Sequence, residues 1–256
     1  MNLVSKINAC AAADSQTMLR LYQQLLQENL SGHQSLWYAA YRGSYGRELW
    51  QTKLMKNWKV VDVGFPIGFD GDLAKEAKDY FAKARQSGGI DPQVMLSVES
   101  AGQSRVHLLK DAIAKDEWDK HWMKKWLARI GVGERMVGAF TLSPQSESYF
   151  LVDRPPDSPP FSESDREQFL TLLQDFPRLH YWLFLERGLV APAKKPFSPR
   201  ERDVLKQLMG PKTEAEIADA LEISRGTTHN YILDIYKNLG VSSRYELLQL
   251  WLRSVS

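Results

Sequence analysis

Between residues 225 and 239 the side chains recur at spacings suited to reading a nucleic acid. Thr228, Ile232, Ile235 and Leu239 fall at three- and four-residue intervals and mark the inward face of a helix. With that set removed, the helix shows Arg225, Gly226, His229, Asn230, Leu233 and Lys237 to solvent. His229, Leu233 and Lys237 repeat every four residues and share one stripe. An Asn can pair with two edge atoms of adenine, and an exposed Leu can touch a thymine methyl. His229 and Asn230 are therefore the candidates for base contact, with Leu233 beside them. Arg225, Thr227 and Lys237 are better suited to phosphate oxygens.

No catalytic or metal-binding pattern competes with this helix. There is no G-x-S-x-G, no phosphate-binding glycine loop and no H-E-x-x-H, so the chain is not expected to be an enzyme. His107, His121 and His180 lack the paired spacing of metal ligands, and neither metal nor cofactor is expected. The single cysteine, Cys10, makes no intrachain disulfide and no thiolate zinc site, and reads as a small hydrophobe or an idle thiol. Trp118, Trp122 and Trp126 form a stripe at four-residue spacing, which a packed core face explains more simply than a pocket wall. Asp111, Asp116, Glu117 and Asp119, with Lys115, Lys120, Lys124 and Lys125, read as a solvated helix face.

The elements that must position the candidate residues are legible around them. Ser198-Pro199-Arg200-Glu201 is a capping box with proline in the first turn, and Thr213 to Glu216 is a second. Ser224 can cap a third helix, and Ser242 or Ser243 a fourth. The inward sets of the other three are Val204, Leu205 and Leu208; Ile217 and Leu221; and Leu247, Leu248 and Trp251. Helices of about three turns do not stand alone in water, so the four must pack together. The short Glu222-Ile223 link sets the third helix against the second with its N-terminus free for an anion. Residues 196–256 hold eight Lys and Arg against eight Asp and Glu. Because phosphate neutralisation supplies much of DNA affinity, one such domain should bind modestly and depend on pairing.

The stretch from Phe197 to Leu248 resembles the LuxR-type helix-turn-helix, also called the GerE or FixJ type. The resemblance rests on Arg200-Glu201-Arg202, Val204-Leu205, Glu216-Ile217-Ala218, Leu221, Ile223-Ser224, Thr227, the Ile235 to Leu239 spacing, Gly240-Val241 and Ser243-Arg244. It implies binding to double-stranded DNA, usually as a homodimer on two half-sites, with the fourth helix often at the dimer interface. Pro211, Thr228-His229, Tyr231 and Leu233 depart from the usual pattern and leave the base preference open.

Length and composition leave room for a second domain. Of the 256 residues, 43% are hydrophobic and 25% charged, close to average usage, so disorder is not the default. The net charge of +2 argues neither for nor against a polyanionic partner. RGLVAPAKKPF, at 187–197, breaks the pattern with two prolines and divides the chain into 1–186, a linker, and 198–256. Before the break, strands are expected at 35–41, 58–65, 93–99, 135–142 and 148–153. Helices are expected at 14–30 with Asp14 or Ser15 as cap, at 71–86, at 105–129, and from Ser162 toward Glu186 with an interruption at Pro177. The fold class is thus α+β, a mixed N-terminal domain followed by a helical C-terminal one.

Residues 133–183 resemble the last strands and closing helix of GAF-type sensor domains: a Gly-apolar strand, a second strand, a Pro-rich loop, then Pro160-Phe161-Ser162 and Asp165 opening a helix. That implies an antiparallel sheet with flanking helices and a pocket on one face. Asp91-Pro92 resembles a motif of the acyl-homoserine-lactone-binding domains of some LuxR-type regulators, without their surrounding Trp and Tyr. Asp62, after Val60-Val61, could end the phospho-accepting strand of a receiver domain, but no acidic cluster near the N-terminus accompanies it.

Three functions compete. The first is a transcription regulator whose N-terminal domain senses a small molecule or partner and controls dimeric operator binding. The second is a constitutive DNA-binding protein with an N-terminal protein-interaction module. The third, an acyl-homoserine-lactone-type quorum-sensing receptor, is a narrower form of the first. The N-terminus is too polar for a signal peptide and no apolar run is long enough to span a bilayer, so a cytoplasmic protein is expected.

Overall fold

The computed structural model describes residues 2–10, 14–43, 56–64, 66–69, 71–72, 75–76, 79–80, 82–83 and 91–253. Helices α1 (Leu3–Ala9) and α2 (Ser15–Leu30) lead into β1 (Gln34–Arg42) and β2 (Trp58–Val63). Then come α3 (Pro92–Glu99), β3 (Arg105–Leu108), α4 (Leu109–Ala112), α5 (Lys115–Trp118) and α6 (Trp122–Arg129). Strands β4 (Glu134–Ser143) and β5 (Ser146–Arg154) form a hairpin, followed by α7 (Glu163–Asp175) and α8 (Pro177–Leu185). The five strands make one antiparallel sheet in the order β2-β1-β5-β4-β3.

Strand alternation gives this sheet two faces. Trp37, Ala39, Phe150, Val152 and Met136 point to one side, in the core that includes Tyr22 and Leu26 of α2, Phe169 and Leu173 of α7, and Leu183 of α8. Gly138 lets α7 come close, since a Cβ there would lie 2.6 Å from Phe169 and 2.8 Å from Leu173. Val137, Ala139, Tyr149, Leu151 and Ala40 point to the other side, against α3. His180 sits in the first layer within a closed chain of hydrogen bonds. Trp37 Nε1 donates to Ser148 Oγ (2.9 Å), which lies 2.9 Å from His180 Nδ1, and His180 Nε2 reaches the Leu173 carbonyl at 3.1 Å. Those partners specify a neutral ring with its proton on Nε2.

Several expected elements change type. Residues 93–99 are not a strand: Asp91 accepts from Gln93 N (2.8 Å) and Pro92 opens helix α3, so a cap and a proline outweigh a β-rich composition. The sheet takes its fifth strand instead from 105–108, the start of the expected 105–129 helix. The rest of that helix breaks into three pieces, so Trp118 and Trp122 belong to different helices. Asp14 makes no side-chain cap on α2, and the Ser15 hydroxyl donates to Glu186. The 162–186 helix is interrupted at Pro177, as its missing N–H requires. Of the expected 71–86 helix, residues 75–76, 79–80 and 82–83 are helical, and half of the segment lies outside the described residues.

The C-terminal domain comprises α9 (Pro199–Leu208), α10 (Glu214–Ala220), α11 (Arg225–Leu239) and α12 (Arg244–Arg253). Both expected capping boxes form, Ser198 with Glu201 and Thr213 with Glu216. Ser224 accepts from Thr227 N, and Ser243 Oγ accepts from Glu246 N. Val204, Leu205, Leu208, Ile217, Thr228, Ile232, Ile235, Leu239, Leu247 and Trp251 are buried as their spacing predicts, whereas Leu221 and Leu248 of the same sets are only half-buried. Among the described residues, no strand follows residue 197. The α10–α11 link closes on Glu222, whose φ of 53° lies in the left-handed region. No described helix is long and apolar enough to cross a membrane.

Candidate functional site

Two features stand out, a presented helix and a cavity. On α11, Arg225, Thr227, His229, Asn230, Leu233 and Lys237 are all exposed, because the complementary set holds the helix to α9 and α10. Leu233 is 50% exposed, one of four large apolar side chains left in water among the described residues. The Ser224 cap leaves the first turn of α11 open to solvent. The Thr227 hydroxyl is 2.8 Å from Ser224 Oγ, and His229 Nδ1 is 3.2 Å from Glu214 Oε2, so both side chains are held rather than free.

Asn238, on the same helix, is buried and was not among the expected site residues. Its Oδ1 accepts from the backbone of Lys194 and Lys195 (both 3.0 Å), and its Nδ2 donates to the Lys195 carbonyl (2.9 Å). The backbone at Lys194 and Lys195 is thereby tied to α11. A sequence reading cannot separate this Asn from the exposed Asn230, since both suit a helix surface.

On the sheet face away from α2 lies a cavity of about 710 Å³. Cross-strand register arranges its floor in rows. Gln34, Asp153 and Arg135 form a polar row; Leu36, Leu151 and Val137 an apolar one; Tyr38 and Tyr149 a third. Asp91, Val94, Ser97 and Val98 of the α3 segment, Trp126 of α6, and Phe69 and Tyr80 supply other walls. Trp126 therefore serves both readings of the tryptophan stripe: it lines the cavity and packs with Trp118, Met123 and Leu127.

The buried arginines at the cavity are already paired. Arg135 donates to both Asp153 oxygens, at 2.7 and 2.8 Å. Beneath Tyr149, Arg105 makes a two-pronged pair with Glu147, at 2.9 Å for each oxygen. Glu147 also accepts from Gly102 N (2.8 Å) and the Tyr149 hydroxyl (2.6 Å). Burial alone would raise the Glu147 carboxyl, but Arg105 outweighs it and holds it low. Asp91 goes the other way: burial pushes its carboxyl up, against Arg135 and the backbone N–H groups of Gln93 and Val94. Two buried polar atoms of lining residues, Ser97 Oγ and Trp126 Nε1, have no hydrogen-bond partner among the described residues. The chamber thus suits a largely apolar, uncharged molecule with a few hydrogen-bonding groups.

His107 and His121 serve local structure. His107 Nε2 meets Ser100 Oγ at 2.9 Å, and burial, helped by Arg105, pulls its pKa down to about 4. His121 Nδ1 accepts from Met123 N at 3.3 Å and caps α6.

Residues 195–251 match the family model of bacterial regulatory proteins of the luxR family. Among solved structures, the chain is similar to SdiA in complex with octanoyl-rac-glycerol, at 16% identity over 99% of this chain and 92% of that one, with a TM-score of 0.47. It is similar to Escherichia coli SdiA in a further structure, at 16% identity over 98% and 94%, with a TM-score of 0.44. A third likeness is to the LBD domain of VqsR from Pseudomonas aeruginosa, at 12% identity over 67% and 92%, with a TM-score of 0.42. No curated protein matches the chain.

Proposed function

Starting from a luxR-family helix-turn-helix domain at residues 195–251, we propose that this protein is a DNA-binding transcription regulator whose N-terminal domain binds a small apolar effector. The observation that carries the reading is the joining, in one chain, of an exposed α11 face to a cavity of about 710 Å³. A constitutive DNA-binding protein with an interaction module would be expected to have a closed, dry core there. In the proposed complex α11 enters the major groove. Asn230 and His229 meet base edges, Leu233 a thymine methyl, and Arg225, Thr227 and Lys237 phosphates. No residue is assigned a catalytic role.

The working form is a homodimer. Tyr245 of α12 is 72% exposed, a large side chain left in water by the monomer, and the eight-to-eight charge balance of residues 196–256 argues for two domains acting together. Asp91 on the cavity wall gives some support to the narrower acyl-homoserine-lactone reading.

Selection from a random duplex pool across a salt series tests the DNA arm. We expect enriched sequences with two half-sites, and for Asn230→Ala a loss of about 1–3 kcal/mol of preference at one adenine per half-site. Binding without enrichment, equal in wild type and variant, would remove the regulator reading. Thermal stabilisation by acyl-homoserine lactones of graded chain length, against free fatty acids, tests the effector arm. No shift with any of them would remove the narrower form.

A further inference from the structure

Strand β2 belongs to two environments at once. Val60 and Val63 line the cavity. Asp62, opposite Ala39 next to a break in the β1–β2 register, faces the other side of the sheet. There Asp62 Oδ2 accepts from Arg187 Nε at 2.5 Å and from Arg202 Nη1 at 2.7 Å. Arg187 opens the linker, packs 4.6 Å over the Trp37 ring and donates to the Leu183 carbonyl (2.6 Å). Arg202 lies on α9, inside the DNA-binding domain. One carboxylate thus joins the cavity wall, the linker and the DNA-binding domain. Burial would raise this carboxyl, and the two guanidinium groups hold it below its ordinary value.

The end of β2 has little room to move by itself. Gly64 N donates to the Trp37 carbonyl at 2.8 Å, and a Cβ on Gly64 would lie 2.8 Å from Trp37 and 2.9 Å from Leu19. Asp62, Val63 and Gly64 also wall a cleft of about 260 Å³ whose far side is Leu205, Met209 and Trp251 of the C-terminal domain. Val63 therefore lines both spaces, so a shift of this residue alters the cavity wall and the cleft wall together.

We propose that Asp62 is the latch through which an occupant of the cavity governs docking of the DNA-binding domain. An occupant pressing on Val60 and Val63 displaces Asp62, loosens its hold on Arg202 and raises the population in which the C-terminal domain swings free. This rests on the effector reading above. Lys194 and Lys195 travel with α11 through Asn238, so opening strains the linker on the Arg187 side.

Limited trypsin cleavage of the full chain in the 187–197 linker reads the open population. The probe for the cavity is the neutral apolar fluorophore N-phenylnaphthylamine, whose emission reports its own binding. For Arg202→Gln, which leaves the Asp62–Arg187 pair in place, linker cleavage should rise about threefold to fivefold over wild type. The fluorophore should speed cleavage of wild type and add little to the variant. Ala40→Phe, which puts a ring where the lining now has a methyl, should weaken fluorophore binding and the change it brings. Arg202→Gln cleaved at the wild-type rate would overturn the latch. So would bound fluorophore that leaves wild-type cleavage unchanged. Absence of fluorophore binding to wild type would count against the effector reading, while the Arg202→Gln comparison would still decide whether Asp62 holds the domains together.

Discussion

His180 shows how one buried side chain sets a pH dependence. Burial holds its pKa down at about 3, against an ordinary 6.5. The unfolded chain therefore takes up a proton that the folded chain refuses over that interval. Stability is present above pH 6.5 and is lost as pH falls toward 3, by up to about 1.4 kcal/mol per pH unit from this residue. Denaturant unfolding of wild type and His180→Gln between pH 7 and 4 checks this. The variant starts less stable, with Ser148 and the Leu173 carbonyl repartnered, but its stability should fall less steeply. Parallel curves would show that His180 does not carry the effect. His107, held at about 4, adds an effect of the same sign over the narrower interval between pH 6.5 and 4.

At the scale of elements, the sheet works because its two faces meet different things. The α7 face is close-packed, and Gly138 is where helix and strand come closest. Gly138→Val would put branched carbons where Phe169 and Leu173 already lie. Overpacking of this kind costs about 1–3 kcal/mol, read as a lower unfolding midpoint. A midpoint within error of wild type would mean that α7 shifts freely. The opposite face leaves a chamber because α3 and α6, with Phe69 and Tyr80, bridge over the strands instead of filling the space between. Its floor follows from β register: a one-residue slip of β1 would send Leu36 and Tyr38 to the core and bring Trp37 into the cavity.

Across the whole molecule, two interfaces govern behaviour. One is internal: Trp182 Nε1 donates to the Trp251 carbonyl at 3.1 Å, and the Asp62 pairs lie alongside. The other is the proposed dimer. Tyr245→Asp should leave the monomer's fold intact, since Tyr245 is 72% exposed. It should weaken self-association in sedimentation experiments and, through lost avidity, weaken binding to a two-half-site duplex by one or two orders of magnitude. Single half-site affinity should change little. Unchanged sedimentation would place the dimer contact elsewhere.

The C-terminal domain was legible in the sequence by itself, because what specifies it is local. Ser198, Thr213 and Ser224 cap helices from within three residues, and the inward sets recur along one short helix at a time. The exposure of Arg225, Thr227, His229, Asn230, Leu233 and Lys237 follows as the complement of those sets. The strands at 34–42, 134–143 and 146–154 were legible through their β-rich composition, which is also local. Residues 92–99 and 105–108 were not: apolar runs of that length fit helix or strand, and the Asp91 cap and pairing with β4 decided between them. Only tertiary structure could decide that Leu36, Tyr38, Tyr149 and Trp126 converge on one chamber, that Asn238 holds the linker, or that Asp62 meets Arg202 across 140 positions. Caps and periodicity act over a few residues and leave a local trace, whereas a cavity or an interdomain ion pair joins distant segments whose meeting depends on how the elements pack.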